Sequence, residues 1–287
     1  MKKSVAAAFM FLFVLAVSCS DNNPNTPYNE MLNTSAPAST VKMIFIHHST
    51  GGHWLQSDYG NLGLYLNANN FYVTETDYGW QAGAVPDGCG NTQIGDRTDT
   101  PDWPCWFNST VMPYVFANHL NSAYTNNIYN PPAENEIVMF KSCYPMSDVG
   151  DFISDEKAIY NSLLAYFASR SDKLFILIIP PPRQTLPTPA LTRELANWLA
   201  DRNNGWLKNY SPRNVYAYDY YNVLTHPDNH HRINGGYEEH VVNNGSNTLY
   251  YISSPGDDHP SAEGQQKATS EFIHLLKGWY NKWKGVN

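Results

Sequence analysis

Two rhythms of apolar and polar positions run along the chain. Short, nearly uninterrupted apolar runs recur at Lys42–His48, Phe71–Thr76, Glu136–Phe140, Leu174–Ile179 and Asn214–Asp219, and read as strands. Pro180-Pro181-Pro182 stops the fourth. Between them, apolar residues fall on one helical face. Ile159, Leu163, Tyr166 and Phe167 predict a helix over 154–169, and Leu191, Leu195, Trp198 and Leu199 one over 189–201, with Thr188 as N-cap and Pro189 at its first position. Phe272, Leu275, Leu276, Trp279 and Trp283 form the stripe of a last helix, with Ser261 as N-cap and Glu263 in its first turn. Strands that are apolar on both faces and alternate with amphipathic helices predict an α/β three-layer sandwich around a five-stranded parallel sheet. Ligands of such sheets bind beyond the carboxyl ends of the strands, so the residues that follow each strand are the ones to inspect. No internal repeat and no second domain are visible, and residues 79–135 form a long Gly-, Pro-, Asn- and Trp-rich stretch of the kind that carries function or small extra elements.

The N-terminus changes the compartment. Lys2 and Lys3 precede an apolar run, Val5–Val17, too short for a comfortable membrane span. It ends in Ala16-Val17-Ser18-Cys19, small residues before a cysteine, which resembles the bacterial lipobox and implies a lipid on Cys19. The expected organisation is a signal peptide over 1–19, a flexible Asn/Pro/Ser/Thr tether over 20–40 and one domain over 41–287, held in the cell envelope on the extracytoplasmic side. In that oxidising setting Cys89 and Cys105 are a candidate disulfide, and Cys143 reads as a small buried core residue. Net charge is −8 with no basic cluster beyond the start, which speaks against a nucleic-acid partner. Aromatic residues reach 14%, which suits large buried side chains or a cleft with aromatic walls such as Trp80, Trp103 and Trp106.

The candidate chemistry lies at the two ends of the domain. Directly after the first strand comes His47-His48-Ser49-Thr50-Gly51-Gly52-His53-Trp54. A serine at a strand exit, followed by small residues, suits a nucleophile whose own N–H faces a developing oxyanion. Gly256-Asp257-Asp258-His259-Pro260 stands immediately before the last helix. A carboxylate one or two residues before a histidine can orient its imidazole, which can then take the serine proton. Asp257 is the first choice for that acid and Asp258 the second.

These residues make the chain resemble the SGNH (GDSL-like) hydrolases, in particular a branch that begins with an HHSTG-like motif. The resemblance covers residues 41–285 and implies flavodoxin-like strand order, Ser49 as nucleophile, His259 as base, ester hydrolysis and no cofactor. It also implies Gly79, after the second strand, as an oxyanion donor. Three departures stand out. His47-His48-Ser49 replaces the family's Gly-Asp-Ser. Gly256 occupies the usual acid position, three residues before the histidine. The usual asparagine after the third strand is missing from Lys141-Ser142-Cys143-Tyr144, which leaves Ser142 as its stand-in. His48 is a further candidate within the site. Arg97, among Asp96, Asp99 and Asp102, can anchor an acidic substrate or knot the long loop together.

The implied substrate is an acylated small molecule or glycan, first of all an O-acetyl group on a carbohydrate. A second class of function is a glycan-binding surface lipoprotein on a degenerate hydrolase fold, favoured by the departures and opposed by retention of Ser49 with His259. Metal chemistry through His47, His48, Asp257 and His259 is disfavoured, because adjacent strand residues point to opposite faces. The sequence leaves the oligomeric state open.

Overall fold

The structure, a computed structural model, describes residues 30–76, 100–117, 123–144, 152–185, 188–243 and 247–286. Five strands, β1 (Val41–Ile46), β2 (Phe71–Thr76), β3 (Ile137–Phe140), β4 (Leu174–Ile178) and β5 (Val215–Tyr218), pair in parallel in the order β2-β1-β3-β4-β5. This is the expected α/β sandwich with flavodoxin-like order. Successive side chains of a strand point to opposite faces, so each strand feeds two cores. Met43, Phe45, Ile176 and Tyr218 pack with α1 (Thr50–Leu55), α2 (Leu62–Ala68), and the later helices α7 (Tyr220–Thr225) and α8 (Ala262–Lys284). Ile44, Ile46, Val138 and Phe140 pack on the other face with α3 (Trp103–Trp106), α4 (Met112–Ala117), α5 (Ile153–Ser169) and α6 (Pro189–Ala200).

Several expectations need correction. The first strand ends at Ile46, so His47 and His48 lie in the turn beyond it, and both are buried rather than alternately in and out. Trp103 and Trp106 are core residues: Trp103 stands edge-on to Phe140 and Tyr160 at centroid distances of 5.1 and 5.4 Å, so neither is a cleft wall. Cys143 is half-buried, not a core residue. Thr188 occupies the N-cap of α6 without a capping side-chain bond, whereas Ser261 caps α8 by accepting from the Gly264 N–H. Within the segment read as a tether, residues 30–40 pack on the domain. Leu32 is buried, and Asn281 Nδ2 donates to the carbonyls of Asn33 and Ser35.

One element has no counterpart in the sequence reading. Residues His230–Asn234 (β6) and Tyr237–Val241 (β7) form an antiparallel hairpin. Gly235 and Gly236 turn it with φ of 60° and 89°, the left-handed values that a two-residue hairpin loop requires. Among the described residues, no helix is long and apolar enough to cross a membrane.

Candidate active site

The chain leaves β1 still in register, with His47 N–H donating to Thr76 O at 3.1 Å, and then turns sharply into α1. The turn is built around His47. Its Nε2 donates to Glu75 Oε2 at 2.7 Å, both side chains are buried, and Glu75 Oε1 also accepts from the Ala123 N–H. Gly51 lies directly over the His47 ring, where an added Cβ would stand 2.4 Å from His47 Cβ and Cγ. Only glycine permits that approach. Gly51 N–H donates to His48 O at 2.8 Å and His53 N–H to Ser49 O at 3.2 Å, which leaves Ser49 half-buried at the start of α1. This is the carboxyl edge of the sheet, where the fold class places a ligand.

The second half of the site precedes α8. His259 Nδ1 donates to Asp257 Oδ1 at 2.6 Å, and the His259 backbone N–H donates to the same oxygen at 3.0 Å. Ser253 Oγ donates to Asp257 Oδ2 at 2.9 Å. These bonds lower the Asp257 pKa to about 2, with the His259 backbone N–H contributing most, then the imidazole, then Ser253. The Nδ1–H bond fixes the tautomer that leaves a lone pair on Nε2. That Nε2 is buried and has no hydrogen-bond partner among the described residues.

The two aspartates therefore have different surroundings. Asp258 turns away from the imidazole: its Oδ1 accepts from Gln184 N–H at 2.9 Å and its Oδ2 lies 3.8 Å from Arg183 Nε. Gln184 also donates through Nε2 to Ser254 O at 2.7 Å and to Asp257 O. The segment after β4 thus grips the loop that carries His259. The Arg183 guanidinium stacks 4.2 Å from the Tyr144 ring centroid, just after β3.

Packing brings the two halves together. Trp54 on α1 is fully buried against Tyr220, at 4.7 Å between centroids, and donates from Nε1 to Thr269 Oγ1 on α8 at 2.8 Å. Thr269 Oγ1 in turn donates to Gly60 O at 2.6 Å. Tyr59 Oη donates to Pro260 O at 3.0 Å, directly beside His259. One turn along α1 from Ser49, His53 packs its ring 5.3 Å from that of His259 and 5.1 Å from Tyr59. Burial, and secondarily the neighbouring His259, lower the His53 pKa against the opposing pull of Asp257. The sequence reading passed over His53. The missed signal was its spacing of four from Ser49, which puts both on one face of a helix.

Other candidates fall elsewhere. Ser142 is buried, and its hydroxyl is turned 3.5 Å from the Tyr144 carbonyl; its own carbonyl accepts from Lys141 Nζ at 3.0 Å. His48 is buried in the turn before Ser49. Cys19, Gly79, Trp80, Cys89 and Arg97 lie outside the described residues. Among the described residues, no group of three or more His, Cys, Asp or Glu side chains is arranged to hold a metal ion.

No family model matches the chain, and no curated protein matches it. One solved structure that overlaps with it belongs to a Bacteroides fragilis protein described as a candidate acylhydrolase. The overlap has a TM-score of 0.44 at 12% identity and covers 85% of this chain and 91% of that one.

Proposed function

We propose that the protein is a serine ester hydrolase in which Ser49 is the nucleophile, His259 the base and Asp257 the acid that orients it. The observation that carries this reading is the 2.6 Å bond from His259 Nδ1 to Asp257, with the opposite ring nitrogen buried and without a partner among the described residues. An imidazole held in that way has one lone pair to offer, and its ring packs against His53 of α1, the helix that Ser49 opens. In ligand-free hydrolases the bond between base and nucleophile is often long and tightens only with substrate.

In the proposed reaction, His259 Nε2 takes the Ser49 proton as Oγ attacks the ester carbonyl. The imidazolium, stabilised by Asp257, then protonates the departing alcohol. Water repeats the sequence on the acyl-serine and releases the acid. Ser49 N–H, at the start of α1, is the first oxyanion donor, and the resemblance assigns the second to Gly79, outside the described residues. The third position, which the resemblance gives to Ser142, is weakened by the orientation of its hydroxyl. Asp258 is a loop anchor in this scheme. The proposed substrate is an O-acyl group, acetyl before others, on a carbohydrate, and the proposed setting is the cell envelope, with a lipid on Cys19 as anchor.

The test is hydrolysis of p-nitrophenyl acetate by the purified protein beside Ser49→Ala and His259→Ala, together with labelling by a fluorophosphonate. Turnover and labelling in the wild type, both lost in Ser49→Ala, are the expected result. A wild type that neither turns over nor labels overturns the reading in favour of a glycan-binding protein.

A further inference from the structure

His53 has a chemical consequence for the second half of that reaction. Two imidazoles stand ring against ring at 5.3 Å, and each has a buried nitrogen without a hydrogen-bond partner among the described residues: Nδ1 of His53 and Nε2 of His259. A buried polar atom with no partner is uncommon in a folded protein and calls for an explanation. The bland explanation is packing, and the packing is tight: His53 sits between Tyr59 and His259, and its backbone carbonyl accepts from the Gly60 N–H at 3.0 Å. Packing alone, however, does not call for an imidazole. A phenylalanine would fill the same space without a buried nitrogen to satisfy.

We infer that His53 orients the water that hydrolyses the acyl-Ser49 intermediate, by accepting one of its protons in a hydrogen bond at Nδ1 while His259 Nε2 accepts the other. The inference rests on the serine hydrolase reading above. In the step, the water oxygen bonds to the acyl carbon and its proton passes to His259 Nε2. The tetrahedral intermediate collapses with cleavage of the bond to Ser49 Oγ, which takes the proton back from His259, and the free carboxylic acid leaves. His53 exchanges no proton. Its burial and the neighbouring His259 favour the neutral ring that this acceptor role needs. Acylation delivers its proton from Ser49 Oγ and requires no such water, so His53 acts on deacylation alone.

The experiment is stopped-flow hydrolysis of p-nitrophenyl acetate with mass spectrometry of the quenched protein, on the wild type, His53→Ala, His53→Asn and His53→Gln. An asparagine carries its amide oxygen near the place of a histidine Nδ1, and a glutamine reaches the place of Nε2 instead. In His53→Ala and His53→Gln, the p-nitrophenol burst should keep its wild-type rate while steady turnover falls about 100-fold, the scale expected for loss of orientation, and acetyl-Ser49 should accumulate. His53→Asn should restore turnover. Circular dichroism of each variant separates these effects from misfolding, and the burst amplitude itself reports folded, acylating protein. If His53→Ala deacylates like the wild type, or if burst and steady turnover fall together in all three variants, the inference is overturned and the hydrolase reading stands. If the wild type forms no acetyl-Ser49, the hydrolase reading falls and takes the inference with it.

Discussion

Asp257 and Asp258 are neighbours in the chain and have separate tasks in the fold. Asp257 accepts from the imidazole, and Asp258 accepts from the Gln184 backbone. Replacement of the imidazole's partner in a serine–histidine–acid site lowers turnover by roughly 10⁴-fold. Asp257→Asn should show a loss of that size on p-nitrophenyl acetate, whereas Asp258→Asn should stay within about tenfold of wild type. With a pKa near 2, Asp257 keeps its charge throughout the mildly acidic range. Its folded pKa lies below the ordinary carboxylate value, so the stabilisation from its bonds is complete above about pH 4 and is lost only as pH falls towards 2. Chemical-shift titration of the Asp257 carboxyl would read this directly; a midpoint near 4 would refute it. The sequence put both aspartates beside His259 and left the choice open, because either side chain can reach an adjacent ring. The bonds from Ser253 and Gln184, set by contacts 4 and 74 residues away, decide it.

At the scale of elements, the β1 turn and the β6–β7 hairpin carry the exposed predictions. Gly51→Ala forces a Cβ into the His47 ring at 2.4 Å. Overpacking of that kind destabilises by about 1–3 kcal/mol, and a thermal melt should register it together with a loss of activity, since the same turn aims Ser49. The hairpin is held by buried hydrogen bonds to two carboxylates. His240 Nε2 donates to Asp219 at 2.5 Å, His231 Nε2 to Glu238 at 3.0 Å, and Trp279 Nε1 to Glu238 at 2.9 Å. Burial, the largest single influence, opposes ionisation of both carboxylates, but the bonds from the histidines, Asn222 and Trp279 and the nearby positive charge together outweigh it and lower their pKa values. The pairs therefore stabilise the fold above about pH 4 and fail as pH falls through the lowered values. Asp219→Asn breaks one pair and leaves His240 buried beside an amide, a change that costs about 3–5 kcal/mol. Urea denaturation at pH 7 should show that loss, and it should shrink as the wild type approaches its own acid transition. An unchanged midpoint at pH 7 would contradict the assignment. The hairpin went unread, although Gly235-Gly236 between polar runs is a turn signal. Its strands were hidden because their charged residues are buried against one another and break the apolar alternation.

At the scale of the whole molecule, the site depends on the contact between α1 and α8, 215 residues apart at Trp54 and Thr269. Trp54→Ala removes a fully buried indole that packs on Tyr220, Tyr218 and Phe272. The expected cost is about 3–5 kcal/mol, seen as a lowered Tm, with activity reduced at temperatures where the protein is still folded. Ser49→Ala should leave the Tm close to that of the wild type, because Ser49 is half-buried in the turn after β1 and the change removes a single oxygen without opening the core.

What the sequence determined by itself was the rhythm. Apolar runs such as Met43–Ile46 and 174–178 can be satisfied only inside a sheet covered on both faces, and amphipathic stripes such as Phe272–Trp279 only against it. The α/β class, the flavodoxin-like order and the position of Ser49 and His259 just after the first strand and just before the last helix followed from that rhythm and from the resemblance it completed. Tertiary structure alone decided which aspartate meets the imidazole, that Trp103 and Trp106 fill the core, that residues 30–40 dock on α8, and that His53 stands against His259. Each of these is a contact between residues distant in the chain or a choice between neighbours. Local pattern constrains which face a side chain occupies, and only the packed fold fixes what that face meets.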